Sequence, residues 1–282
     1  MDWTTYWCML PVALGIATLA NATGIEGATF FSPVFILLLR LDPRIAIGTA
    51  VITQVFGFGS SVVSFAQRKW IDYKLAAELL TVTVPLALLG AYFAGSIPTI
   101  ALKAIFGVGL LAIGAAFLFV PAPRRTEANI PPKKAERRLV TAQGEEICYT
   151  LCNRAEGLTL GGVGGIFMGL IGSGQGELNG YFLLRRCQVP SKVAVATSAL
   201  VVAVTGLVAS LGYVMAFVHT GGDVLTQVAS LVIYTVPGVI IGGQLAPMVS
   251  ARLDQRKTER LLATIFVLIG GMTLWTTWGA IR

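Results

Sequence analysis

Long charge-free apolar runs recur along this chain and limit what it can fold into. Each is long enough for a helix across about 30 Å of hydrocarbon, which takes about 20 residues. Only helices and closed barrels satisfy their backbone in lipid, and the runs lack the period-2 alternation of barrel strands. The sequence therefore predicts an all-α membrane protein. The runs are residues 6–39 (broken only by Glu26), 45–66, 104–120, 193–218, 224–249 and 261–281.

Composition supports the same class. Charged residues make up 12% of the chain, against about 25% in soluble domains. The net charge of +7 comes from loop residues, as the positive-inside rule requires, so a lipid bilayer and not nucleic acid is the expected partner. No Lys or Arg precedes Arg40, so the first run does not resemble a cleaved signal peptide and is expected to stay in the mature protein.

The cysteines predict neither a metal site nor a disulfide framework. They form no CxxC pair, and only one His accompanies them. We therefore expect no cofactor, and we interpret the cysteines as small apolar or loop residues. They are Cys8, Cys148, Cys152 and Cys187.

The chain is internally duplicated. With a shift of 148 residues, Gly24 falls on Gly172, and residues 46–50 fall on 194–198. After a short insertion near 219–222, the same order of motifs continues. There, 84–85 matches 236–237, 90–91 matches 242–243, and Gly114 matches Gly270. Repeats of this size are common in transporters, in which the substrate site lies between the repeats.

The placement of Lys and Arg predicts that the two repeats have opposite orientations. Basic loops near 68–74, 185–192 and 252–260 and a basic linker are assigned to the cytoplasm, and loops 96–99 and 219–223 to the outside. External Arg40 and Arg44 are the misfit, partly offset by Asp42. Each half is predicted to be a Gly-broken helical hairpin, or two short spans, followed by three transmembrane helices. The predicted regions are repeat 1 (1–121), the cytoplasmic linker (122–156) and repeat 2 (157–282), with both termini external.

The linker itself allows two interpretations. Four prolines, at 121, 123, 131 and 132, break any helix at its start. On the two sides of residues 143–145, alternating positions are then occupied by Leu139 and Thr141 and by Ile147, Tyr149 and Leu151, which is typical of a small β-hairpin. A disordered linker is the alternative.

Each half begins with an apolar run that is interrupted by small polar residues, at 21–29 and at 172–179. Glycines let the backbone unwind, and unwound backbone is tolerated in a membrane only where protein or a water-filled cavity covers it. The helix after each break would start inside the membrane with unpaired N–H groups and the positive end of its dipole, which together form an anion site. Alternatively, the glycines only allow close helix packing.

The breaks and the helices that follow them supply the candidate substrate-binding residues. In the breaks these are Asn21, Thr23, Gly24, Gly27, Ala28, Thr29, Gly172, Ser173, Gly174, Gln175, Gly176 and Asn179. On the following helices they are Thr49, Thr197 and Ser198, with Thr53, Gln54 and Thr205 as weaker candidates. Ser and Thr hydroxyls also commonly bond to their own helix or to a neighbouring one.

Glu26 and Glu177 are the charged residues of the two breaks. A carboxylate in the membrane costs at least about 2.5 kcal/mol, so its presence suggests a function. Burial and a neighbouring anion both favour the protonated form, so either residue could couple proton and anion movement. The alternative is a carboxylate that caps a helix N-terminus.

The two breaks, each followed by a Pro-containing loop and an Ala-x-x-Thr stretch, resemble the TauE/SafE sulfite-exporter family. In the first copy these are residues 24–28 with Pro33, then Pro43 and 46–49; in the second they are 172–176, then Pro190 and 194–198. Glu26 departs from the family's glycine, and Tyr181 stands where the second proline is expected. The resemblance implies transport of sulfur-containing anions such as sulfite, thiosulfate or an organosulfonate such as sulfoacetate.

A proton-coupled secondary transporter in the inner membrane is the first functional hypothesis. An anion channel is the second, because the same helix ends could line a pore. A membrane enzyme is disfavoured, because no His, Cys–His pair or Asp cluster falls within the predicted spans. The sequence does not decide the oligomeric state, and a homodimer is compatible with it.

The predicted topology can be tested by single-cysteine labelling in a background without native cysteines. A membrane-impermeant maleimide should reach linker positions only from the cytoplasmic side and both termini only from outside, because the Lys/Arg asymmetry orients the spans. Labelling of the linker from outside would contradict the whole scheme.

Overall fold

Helices dominate the computed structural model of the protein, which describes residues 6–94, 97–119, 137–252 and 255–281. The helices of the first half are α1 (Met9–Thr23), α2 (Ala28–Pro33), α3 (Pro43–Gln67), α4 (Tyr73–Ala94) and α5 (Thr99–Phe119). Those of the second are α6 (Arg154–Ile171), α7 (Gln175–Gly180), α8 (Ser191–Thr220), α9 (Gly222–Ser250) and α10 (Gln255–Ile281). Strands β1 (Arg137–Val140) and β2 (Glu146–Tyr149) lie between the halves.

The same order of elements occurs in both halves. A helix is followed by a short helix that runs into a π-helical turn, Val34–Leu38 after α2 and Tyr181–Arg186 after α7. Three helices come next. By length and composition, α3, α4, α8 and α9 can each cross a membrane.

The two halves are held together by reciprocal packing. The first helix of each half packs on the fourth helix of the other: α1 lies against α9, and α6 lies against α4. Helices α3 and α8 pack on each other, as do α5 and α10. The largest apolar core gathers side chains from α1, α3, α8 and α9.

Glycines bring the backbones of α4 and α6 into direct contact. A Cβ atom added at Gly169 would lie 2.1 Å from the Ala87 carbonyl oxygen, and one at Gly165 would lie 2.5 Å from that of Thr83. Gly238 on α9 approaches the Leu10 carbonyl oxygen of α1 in the same way, at 2.5 Å. Small residues allow this approach, which gains van der Waals contact where lipid provides no hydrophobic driving force.

The two strands form an antiparallel hairpin that docks on the start of α4. Arg137 binds Asp72 at 3.1 Å and Glu78 at 2.9 Å, and the Tyr149 hydroxyl donates to Asp72. Burial alone would raise the pKa of Asp72, but hydrogen bonds from Tyr149 and the Leu75 N–H, together with the Arg137 charge, hold this pKa below its ordinary value. The four linker prolines lie outside the described residues.

The hairpin also joins the loops before α4 and α8. The Ala142 N–H donates to the Arg68 carbonyl oxygen at 3.0 Å, and Lys192 pairs with Glu145 at 2.9 Å. Buried Trp70 has the cationic groups of both Arg68 and Lys192 over its ring. The loops near 68–74 and 185–192 therefore lie together beneath the hairpin.

Two of the cysteines form a disulfide, contrary to the expectation from the sequence. Cys152 and Cys187 are bonded, with Cα atoms 4.9 Å apart, although 35 residues separate them. The spacing has no recognisable pattern because tertiary packing of the start of α6 against the loop before α8 brings them together. Cys8 and Cys148 are free.

The close α4–α6 contact predicts that Gly169→Ala lowers the thermal stability of the purified protein in detergent. The added methyl group would meet backbone atoms, which cannot move like a flexible side chain, and overpacking of this kind costs about 1–3 kcal/mol. Gly15→Ala is the matched control, because Gly15 lies on an exposed helix face with open space at its Cβ position. Equal melting temperatures for the two variants would contradict the packing argument.

Candidate functional site

Helices α1 and α6 end in the same way at matched positions. Gly24 has φ +79° and Gly172 has φ +77°, a left-handed conformation that costs other residues energy. The N–H of Gly24 donates to the Ala20 carbonyl oxygen at 2.9 Å. The N–H of Gly172 donates to the Met168 carbonyl oxygen at 3.0 Å. The chain leaves both helices there, and after a few residues α2 and α7 begin.

The structure brings the two breaks into direct contact. A Cβ atom added at Gly176 would lie 2.8 Å from the Gly24 carbonyl oxygen and 3.1 Å from Cγ of Glu26. Each break also packs on the first turns of a long helix from the opposite half. Gly24 lies against Val195 of α8, and Gly172 lies against Ile47 of α3. The breaks therefore meet between the halves.

The N-terminus of α7 holds two buried carboxyl groups. Oε1 of Glu26 accepts the Gly176 N–H at 2.6 Å, and the N–H groups of Gly174 and Gln175 also face this carboxyl group. Oε2 of Glu177 accepts the Gly174 N–H at 3.1 Å. Both side chains are at most 1% exposed. Because backbone N–H groups and the helix dipole converge here, the arrangement stabilises negative charge.

Glu177 of the second break also contacts the first break. Oε1 of Glu177 accepts a hydrogen bond from the hydroxyl of Thr29, which stands at the matched position of the first half. Ser173 is buried just before this helix start. Both carboxylates thus act as helix caps, the alternative that the sequence left open for them, and Glu26 caps a helix of the other half.

Gln54 of α3 connects the two breaks directly. Its Oε1 accepts the Ala28 N–H at 2.8 Å, at the start of α2, and its Nε2 donates to the Gly172 carbonyl oxygen at 3.3 Å. Gly27 packs against Cβ of the same side chain. From the sequence, Gln54 was only a weaker candidate on a long helix. Its link to both breaks depends on how α3 lies against α6, for which the sequence carries no signal.

Several buried polar atoms at α7 and α8 have no hydrogen-bond partner among the described residues. Nε2 of Gln175 donates to Oδ1 of Asn179 at 3.1 Å, which leaves Oε1 of Gln175 and Nδ2 of Asn179 unpaired. Oε2 of Glu26 and Oγ of Ser198 are also buried and unpaired. Because buried polar groups are normally satisfied, these atoms are candidates for contact with a ligand or water.

Four predicted site residues use their polar groups elsewhere. Asn21 donates to the Ala17 carbonyl oxygen, Thr23 to that of Leu19 and Thr49 to that of Ile45, all within their own helices. The Thr197 hydroxyl accepts the N–H of Asp72, in the loop before α4. These contacts match the alternative, stated from the sequence, that such side chains bond to a helix backbone or to a neighbouring element.

Threonines that the sequence did not group together pair between the halves. The hydroxyls of Thr53 and Thr235 are 3.1 Å apart, and those of Thr83 and Thr205 are 3.0 Å apart. Thr83 and Thr235 each precede the matched Val-Pro pair of the repeats. This shared position is the signal from which the reciprocal contacts could have been found.

A cavity of about 630 Å³ lies between the ends of α4 and α8 and the starts of α3 and α9. Ile47 and Leu170 line it, and Ile47 also contacts the break at Gly172. Arg44, one of the two cations that misfit the charge rule, lines the cavity together with Asp42. The Ile47 side chain therefore lies between the cavity and the second break.

Comparison with known proteins agrees with this architecture. The family model described as "Sulfite exporter TauE/SafE" matches residues 9–273. The chain is 24% identical to the probable membrane transporter protein YunE of Bacillus subtilis (strain 168), over 92% of this chain and 94% of YunE. It is 27% identical to the probable membrane transporter protein YjnA of the same organism, over 93% of this chain and 97% of YjnA. No solved structure matches.

These matches, with the long apolar helices, confirm the predicted class of helical multi-pass membrane protein and the resemblance found in the sequence. Since the family model covers nearly the whole chain, the protein belongs to the sulfite exporter TauE/SafE family of membrane transporters.

Proposed function

We propose that this protein is a secondary transporter for a small sulfur-containing anion, in the inner membrane. Sulfite, thiosulfate and an organosulfonate such as sulfoacetate are the candidate substrates, moved by alternating access and coupled to protons. The observation that carries the proposal is the N-terminus of α7, whose N–H groups face a carboxylate from the other half in a buried contact. Family membership supports the choice of substrates.

In this proposal, the Glu26 carboxylate occupies the place of the transported anion. A carboxylate and a sulfur oxyanion both offer oxygens to the same N–H donors. The substrate would bind at Gly174–Gly176 when Glu26 moves aside, and the unpaired Nδ2 of Asn179 could donate a further hydrogen bond. Occupation by a carboxylate would keep the helix N-terminus satisfied when no substrate is bound.

Charge repulsion supplies the coupling to protons. Two carboxylates already share one buried site, and an incoming anion would add a third negative charge. Protonation of Glu26 or Glu177 removes one of these charges, so anion and proton would bind together. The positive end of the helix dipole stabilises a charged carboxylate but not a neutral carboxyl group. Protonation therefore weakens the contact of Glu26 with the N–H groups of α7 and frees them for the substrate.

The cavity provides access from one side. It lies at loops that the charge pattern assigns to the outside, whereas the β-hairpin covers loops assigned to the cytoplasm. Alternating access would then open the hairpin side as the cavity side closes.

An anion channel is the second candidate. A channel needs a continuous path, but the breaks pack so closely that Gly176 has no room for a methyl group beside the Gly24 carbonyl oxygen. This favours the transporter. Saturable, gradient-dependent flux in proteoliposomes would distinguish the two functions.

Gly176→Ala should weaken anion binding and slow uptake into proteoliposomes. The methyl group would push the two breaks apart at an overpacking cost of about 1–3 kcal/mol, so we expect roughly a tenfold loss of affinity. Gly180→Ala is the matched control on the same helix, because nothing lies near its Cβ position. The breaks do not form the site if both variants transport like the wild type.

Glu26→Gln and Glu177→Gln test proton coupling. Glutamine resembles the protonated carboxyl group in shape and carries no charge, so the variant of the coupling residue should still bind sulfite but lose its response to an imposed pH gradient. The two residues need separate variants, because Glu177 caps its own helix whereas Glu26 caps a helix of the other half. Binding by calorimetry and uptake with and without the gradient are the measurements. If each variant keeps full gradient-driven transport, neither carboxyl group couples protons and both serve only as caps.

A further inference from the structure

The Cys152–Cys187 disulfide lies outside the candidate site and joins both ends of the broken hairpin in the second half. Cys152 directly precedes Asn153, the N-cap of α6, and Cys187 follows the π-helical turn that continues α7. Cys152 is exposed and Cys187 is half-buried, so solutes can reach the bond from the side that the charge pattern assigns to the cytoplasm. The bond thus ties the start of the hairpin to its end.

Two other contacts hold the same segments together. Arg186 forms a bidentate ion pair with Glu156 at 2.7 and 3.0 Å, and the Phe182 ring covers Gly157, where a Cβ atom would lie 2.5 Å from it. We name these two contacts and the disulfide the hairpin clamp. In the first half, the residue matched to Cys187 is Leu39. Among the described residues, the second half, which carries α7, therefore has a covalent restraint that the first half lacks.

We propose that the disulfide is a sulfite-reactive site, at which the anion itself opens the hairpin clamp. The choice of sulfite rests on the proposed function. The sulfur lone pair of sulfite attacks Sγ of Cys152 and forms a new S–S bond. The old bond breaks, and its electron pair leaves with Sγ of Cys187 as a thiolate. The products are one S-sulfocysteine and one thiolate: sulfite supplies the electron pair that reduces the disulfide, and the step needs no other oxidant, reductant or proton.

The geometry selects which sulfur is attacked. Cys152 is the more exposed partner, so sulfite reaches its sulfur first. The backbone N–H of Cys152 donates to Sγ of Cys187 at 3.3 Å. This hydrogen bond stabilises a thiolate on Cys187, and the better-stabilised thiolate is the better leaving group.

Opening the bond would act on the candidate site through α7. The disulfide restrains the end of the segment that begins with Gly174–Gly176, and alternating access requires this segment to move relative to α6. Sulfite would therefore speed its own transport by removing a restraint from the half that binds it.

The chemical step is tested on the full-length protein in detergent, with Cys8→Ser and Cys148→Ser introduced so that only the paired cysteines can react. After incubation with sulfite, intact mass spectrometry should find one added sulfonate group and thiol titration should find one new thiol. Peptide mapping should place the sulfonate on Cys152. Sulfate, which has no sulfur lone pair, is the control anion. Two free thiols in the untreated protein, no adduct, or an adduct on Cys187 would each overturn the proposal.

The functional consequence is tested by uptake into proteoliposomes. Oxidised protein should transport more slowly than sulfite-treated protein, by about fivefold, the lower end of typical coupling between sites. The Cys152→Ser/Cys187→Ser variant should be fast and unaffected by pretreatment. Equal rates for oxidised and treated protein would show that the clamp does not control transport. Sulfite transport with an unreactive disulfide would overturn this inference alone. The adduct without any transport would overturn the proposed function and leave only the chemical step of this inference.

Discussion

Backbone groups that are freed inside a membrane must find partners within the protein, and the centre of this structure is built around that requirement. Two helices stop at Gly24 and Gly172, and two short helices start a few residues later. Side chains of the first half satisfy these exposed ends. Gln54 accepts from the start of α2 in its own half, and across the boundary between the halves it donates to the end of α6 and Glu26 accepts from the start of α7. The second break therefore depends on two side chains of the first half.

The sequence predicted the parts of this arrangement that depend on local chemistry. Apolar runs, the 148-residue shift and the glycine clusters indicated the membrane class, the duplication and both breaks. Alternation after the prolines indicated the β-hairpin. The sequence could not predict that Glu26 reaches a helix of the other half, because its length and charge suit either helix start. Nor could it predict that Thr197 faces the loop at Asp72, since hydroxyls on a buried helix have several acceptors within reach.

The disulfide shows the same limit more clearly. Cys152 and Cys187 carry no motif, and only the packing of α6 on the following loop brings them together. The two halves also differ where they share the central contact. The second break caps its own helix through Glu177, whereas the first break sends Glu26 across to the other half. A duplicated sequence has therefore acquired two different roles for one acidic residue in each copy.

The reciprocal packing of first helices bears on how the chain is made. Helix α1 is synthesised before α9, yet α9 covers the face that α1 buries. Until α9 is inserted, the small-residue surface of α1 lacks its cover. The two repeats therefore complete their packing together, once α9 has been inserted against α1.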